Sequence, residues 1–336
     1  MSRNQEKQNN IIKEIEVIRS FCIISVISAH LSGTVFSTFT GFPLFMFYCC
    51  RAFGTIGVIG FFVISGFLYK NKNERFAKTL LTKVKYIIIP SLIAAIINYL
   101  AIHINNFSFS ELIAFCYGGG SLFYYITVLI ICFIFFHYFM DNNTALYLAI
   151  IINIISIILF ATDVIQYDQL PYPYITSYLI PTNWIGFFAL GILLRKKNCF
   201  WKIIDWSSRY IILLLVSFAV ITALYAYFSA QTEISYFVFQ SIPYELFGFV
   251  VFMGASKKLK EVVLFRKIGS ASFFIFLYHI NIIGVISNKL CFKWYIVLFY
   301  PIIVALLLLL INMLIQNIAS KINLGKWLFV LGIKEK

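Results

Sequence analysis

The sequence predicts an all-α polytopic membrane protein of about ten transmembrane helices, with both termini in the cytoplasm. Three observations carry that prediction. Of the 336 residues, 61% are hydrophobic and only 12% charged, against roughly 45–50% and about 25% in soluble domains. The apolar residues gather into runs long enough for bilayer spans of about 20 residues each. The basic residues, in turn, fall almost wholly on alternate connecting segments. This composition excludes a water-soluble enzyme, a nucleic-acid binder and a receptor with a large ectodomain.

The apolar runs lie at 15–37, 52–70, 86–104, 121–140, 144–161, 182–194, 210–229, 236–255, 269–288 and 294–317. Each suits a helical span with some tilt. The sixth is short, and the Pro- and Tyr-rich PYPYITSYLIP before it suits an approach along the headgroup layer, where aromatic rings collect. Residues 1–14 read as a short cytoplasmic tail, as does the stretch from about 318 to 336. No internal repeat or low-complexity linker divides the chain, which reads as one membrane domain over 1–336. The N-terminus, MSRNQEKQNNIIKEIE, lacks the short apolar core of a cleaved signal peptide, so the first span is expected to direct insertion itself.

Charge sets the orientation. With the N-terminus inside, 23 of the 27 basic residues fall on cytoplasmic segments, among them the run from Lys70 to Lys85. Three (Arg51, Lys289 and Lys293) fall outside, and Arg19 lies within the first span. The positive-inside rule then predicts an even number of spans with both ends cytoplasmic, and it also accounts for the net charge of +14 without a nucleic-acid partner. Seven cysteines without CxxC spacing predict neither a zinc site nor a disulfide framework, and no metal is expected.

An ionisable group inside the bilayer is costly, so each one is a functional candidate. Arg19 and His30 lie on the first span, eleven residues apart. At about 100° per residue they leave the same helix face, separated by about 16 Å along the axis. A cation below a titratable imidazole on one stripe suits a long anionic ligand whose reactive end reaches the imidazole. The plainer alternative is a snorkelling Arg19 and a His30 that bonds a neighbouring helix. His279 stands among aromatic and aliphatic residues of the ninth span, where packing is the simpler role. Glu245 follows Pro243 and could orient an imidazole or bind a sugar hydroxyl. His103 and His137 fall at span ends and suit headgroup-facing roles. Arg51 reads as a headgroup anchor at the outer mouth of the second span. Within that span, Gly54, Gly57, Gly60, Ser65 and Gly66 permit close helix approach and leave room for a ligand.

Several segments together resemble the membrane-bound acyltransferase family 3. They are Arg19-SFCIISVISA-His30; the FFVISGF of residues 61–67; the basic NERFAKTLLTKVKYIIIP; WIGFFALGILLRKK; and IGSASFFIFLYHI. The resemblance implies transfer of an acyl group, usually acetyl, from cytoplasmic acyl-coenzyme A to a hydroxyl of an extracytoplasmic or lipid-linked glycan at a bacterial cytoplasmic membrane. It makes His30 the catalytic imidazole and Arg19 the donor-site cation. Acetyl-coenzyme A or another acyl-coenzyme A is then a co-substrate, with no permanently bound cofactor.

Arg75, Lys78, Lys83 and Lys85 become candidates for the donor's phosphates, with His279, Glu245, Ser65 and Arg51 in support. The donor's pantetheine arm would pass Arg19 on its way to His30. Lys78 replaces the second Arg of the family's Arg-x-x-Arg pattern, keeping charge and losing the planar fork, and Phe273 stands where Tyr is common. The added SGNH hydrolase-like domain of some members is not expected in a chain ending at Lys336. The rival class is a transporter or flippase of a lipid-linked sugar, with His30, His279 and Glu245 as its polar site.

Overall fold

The computed structural model describes residues 3–35, 40–70, 76–162, 164, 177–229, 236, 240–287 and 294–334. Among them there are fourteen α-helices and no strand. Every one of the ten apolar runs holds a helix. They are α1 (Arg3–Val35), α2 (Phe42–Leu68), α4 (Ile89–His103), α6 (Tyr124–Phe139), α7 (Asn143–Ala161), α8 (Ile185–Lys196), α10 (Ile211–Ser229), α11 (Ser241–Leu259), α13 (Ser272–Ser287) and α14 (Trp294–Lys321). The remaining four, α3 (Phe76–Lys83), α5 (Phe109–Tyr117), α9 (Cys199–Arg209) and α12 (Val263–Ser270), are shorter. Five segments are long and apolar enough to cross a bilayer: 42–68, 76–106, 143–161, 211–228 and 298–321. The pair α12–α13, bent by 80°, makes a sixth. The chain is thus an all-α, multi-pass membrane protein.

Helix boundaries depart from the sequence reading in several places, beginning with α1, which starts at Arg3 within the predicted N-terminal tail. The second helix begins at Phe42, ten residues before the predicted start, because FPLFMFYCC is apolar and its only proline, Pro43, falls in the first turn, where no backbone N–H is needed. Arg51 is therefore an interior residue of α2 and not a residue at its mouth. From Phe76 the basic segment is helical and leads into α4 through a π-helical turn, Val84–Ile88. That widening precedes Pro90, whose missing N–H cannot continue the ordinary ladder. The ninth run is broken at Ala271 between α12 and α13, with the chain turning through 80°.

Packing divides the chain into two units, 1–61 with 198–312 and 62–197 with 313–336. In the first, α1 lies against α11, α12 and α13. Glycines set the close approaches. Gly54 backs onto Ala29, Gly57 onto the Cys22 carbonyl, and Gly269 of α12 onto the Glu16 carbonyl, so any side chain there would displace α1. Serines fasten the same face. Ser25 donates to the Phe53 carbonyl at 2.7 Å and accepts from the Gly57 amide at 2.9 Å, and Ser28 donates to the Cys50 carbonyl at 2.8 Å. Small residues with hydroxyl cross-links are the usual means of joining helices where the surrounding lipid is as apolar as the side chains.

The N-terminal end of α1 is held by charge. Lys13 donates to both Glu261 oxygens at 3.0 and 2.8 Å, Lys260 lies 3.7 Å from Glu14, and Arg266 lies 3.5 Å from Glu16. Three residues of α1 are thus paired with the link from α11 into α12.

In the second unit, α7 packs on α8, and Gly66 and Gly191 bring α2 and α8 into backbone contact. The Arg195 guanidinium, at the end of α8, donates to the Phe67 carbonyl at 3.1 Å and to the Tyr69 carbonyl. It satisfies carbonyls left open where α2 ends, and so fixes where the chain leaves for the basic segment.

Candidate active site

Arg19 and His30 belong to one unbroken helix, so the face they share is a property of α1 itself. Arg19 is half-buried near the charge-paired end, and His30 is half-buried further along. What the sequence did not show is the neighbour of His30. The ring of His279, from α13, stands against it with centroids 5.1 Å apart and planes inclined by 53°. His279 itself is fully buried. Its Nδ1 lies 2.7 Å from the Phe276 carbonyl, one turn back in α13. A carbonyl only accepts, so Nδ1 carries the hydrogen, and in a neutral ring Nε2 is left with the lone pair. That Nε2 is buried and has no hydrogen-bond partner among the described residues.

Glu245 is the second open group. It lies in the second turn of α11, fully buried, and neither carboxylate oxygen has a hydrogen bond of good geometry among the described residues. The Thr55 side chain of α2 is beside it, although its hydroxyl donates to the Ala52 carbonyl at 3.0 Å. On the opposite side of the same turn, Tyr244 stacks on Tyr225 at 4.6 Å and shares a 3.1 Å hydrogen bond with Thr222. Pro243, with no N–H to place inside the ladder, starts this helix cleanly and fixes where Glu245 enters it.

The other candidates, apart from Arg51, belong to the second unit. Ser65 of α2 is 3.5 Å from the Tyr125 hydroxyl. Lys78 is exposed on α3. Lys83 stands over the Phe133 ring at 4.1 Å, and Lys85 over Tyr86 and Phe329 at 5.1 and 4.9 Å. These cation–π contacts hold two of the lysines in place, and the Phe329 contact comes from the C-terminal 3-10 segment Gly325–Leu331, which the sequence reading took as tail. Arg75 lies outside the described residues. Arg51 is half-buried within α2.

The family model for the acyltransferase domain, acyltransferase family 3, matches residues 12–315, nearly the entire chain. The chain belongs to acyltransferase family 3. The match begins just before the α1 ion pairs and runs through most of α14, so it takes in both units and the whole of the His30–His279 region. No curated protein and no solved structure matches the chain. This family 3 protein is a membrane acyltransferase.

Proposed function

We propose that this family 3 acyltransferase moves an acetyl group from acetyl-coenzyme A to a hydroxyl of a bacterial surface glycan, either extracytoplasmic or lipid-linked. The observation that carries the reading is the continuity of α1, which holds Arg19 and His30 on one face, about 16 Å apart along the axis. An elongated donor with a charged end and a reactive end suits that spacing. Arg19 is the donor-site cation. Arg75, Lys78, Lys83 and Lys85, on the most basic segment of the chain, attract the donor's phosphates. The positive-inside partition puts this segment and both termini in the cytoplasm, where acyl-coenzyme A is made.

His30 is the general base. Imidazole is the side chain whose ordinary pKa, about 6.5, suits proton transfer at neutral pH. His30 takes the acceptor's hydroxyl proton as the oxygen bonds to the thioester carbon. The carbon–sulfur bond then breaks, and the departing thiolate takes the proton from His30. Acyl ester and free coenzyme A are the products, and nothing else is consumed.

The test is acetyl-coenzyme A turnover by the purified protein in nanodiscs, paired with mass analysis of surface glycan from cells with and without the gene. Thiol release that depends on added glycan, together with loss of one acetyl mass from the glycan, supports the proposal. Sugar movement across the bilayer without thiol release would replace it with the transport reading.

A further inference from the structure

A buried histidine ring standing against a second, half-buried one inside a membrane protein calls for a reason, because its polar nitrogens are held away from water. His279 is fully buried, so no substrate can reach it directly. Its Nδ1–H is committed to the Phe276 carbonyl, which leaves Nε2 as an acceptor without a donor among the described residues. The imidazole standing against it is His30, which keeps partial exposure. One ring is thus sealed and fixed in its tautomer, and the other is open on one side. Packing alone would be served better by Phe or Leu, since a buried acceptor left unpaired costs stability.

We infer that His279 is a positioning residue for His30: its Nε2 accepts the hydrogen of one His30 ring nitrogen, and so keeps the lone pair of the other facing the acceptor hydroxyl. The inference rests on His30 being the base. With centroids 5.1 Å apart, a rotation of the half-exposed His30 ring brings an N–H onto Nε2. The arrangement supplies what a buried carboxylate supplies to the histidine of a hydrolase triad, tautomer and orientation, with the Phe276 carbonyl as the third member. It also explains why His279 is pinned: a freely turning ring would present donor and acceptor by turns, and would select no tautomer in His30. No further reactant is needed, because His279 exchanges no proton with solvent or substrate.

The test uses ¹⁵N-histidine-labelled full-length protein in nanodiscs, with the His30 signals identified by their loss in His30→Gln. Wild type should show His30 in one tautomer. His279→Leu should show a mixture, with kcat lower by about tenfold or more and the donor KM within about twofold of wild type. His279→Gln, which restores an acceptor oxygen, should recover most of that kcat. Two outcomes would overturn the inference: both tautomers populated in wild-type His30, or His279→Leu with wild-type kcat. If instead His30→Ala still transfers acyl groups, the functional reading fails before this one is reached.

Discussion

A buried polar cluster in the second unit and two buried groups in the first are treated in opposite ways. In the second unit, a cluster between α7 and the turns before α8 is closed. Asn153 donates to the Thr182 carbonyl at 3.0 Å, Ser156 accepts from the Thr182 hydroxyl at 2.8 Å and donates to Asn183 at 2.5 Å, and Asn183 donates to the Ser177 carbonyl at 2.9 Å. The Trp184 indole donates to the Tyr178 carbonyl at 2.9 Å. In the first unit, the lone pair of His279 and both oxygens of Glu245 are buried without such partners among the described residues. A closed network specifies structure, and an open one is kept for something that arrives. Under the proposed function, the difference separates polar groups that hold the fold from those expected to serve the chemistry.

The largest expected effect tests the open side. His30→Ala should lower acyl transfer by about 10²–10⁴-fold, the usual loss for a general base. Insertion and donor binding should be unchanged. Near wild-type transfer by a correctly inserted His30→Ala protein would remove the proposed mechanism.

A paired experiment sharpens the contrast. Asn183→Leu should cost about 2 kcal/mol of stability, because it removes two hydrogen bonds of the closed cluster, one from the Ser156 hydroxyl and one to the Ser177 carbonyl. Glu245→Leu, similar in volume, should leave thermal stability unchanged or raised, since neither carboxylate oxygen has a hydrogen bond of good geometry among the described residues. It should nonetheless lower transfer. Were Glu245→Leu the more destabilising of the two, the open group would be a structural one and the contrast would collapse.

Arg19 comes next. Arg19→Ala should weaken donor binding more than Arg19→Lys, which keeps charge and loses the fork. Wild-type donor binding and turnover in Arg19→Ala would end its donor role. Smaller again is the basic segment. Changing Arg75 and Lys78 together to Gln should raise the donor KM with less effect at saturating donor, and the difference should shrink in high salt. A fall in kcat at unchanged KM would move these residues out of simple binding.

Much of this was legible in the sequence, because helix formation in a bilayer depends on runs of apolar residues and little else. All ten runs hold helices, and the Arg19–His30 face follows from helix geometry alone. The misses occur where non-local contacts decide. The 80° turn at Ala271 lets Gly269 meet the Glu16 carbonyl of α1, a contact between residues far apart in the chain. The pairing of His30 with His279 joins α1 to α13, and no periodicity in either segment announces it. Arg195 read only as a topological charge, yet it closes the end of α2 through the carbonyls of Phe67 and Tyr69. In each case the residue type was visible and the partner was not.

The smallest effects concern the charges at the end of α1, where the same contrast recurs outside the span. Glu261 is largely exposed, and the hydrogen bond from Lys13 holds its carboxyl below the usual range. Glu14 is buried, and desolvation pushes its carboxyl up despite the opposing attraction of Lys260. The two carboxyls therefore have opposite linkage. Stability from Glu261 is present above the ordinary carboxylate pKa and is lost as pH falls through its depressed folded value. Ionised Glu14 weighs against the fold, so its contribution diminishes as pH rises from the ordinary carboxylate pKa to its raised folded value. At neutral pH, Glu261→Gln should lower Tm only slightly, as exposed pairs do, and not at all in high salt. Glu14→Gln should leave Tm equal or higher. Thermal melts in nanodiscs from pH 4 to pH 8 check both signs. A Glu14→Gln protein that melts clearly below wild type at pH 8 would mean that the Lys260 pair outweighs the burial of Glu14, and that this carboxylate belongs with the closed groups.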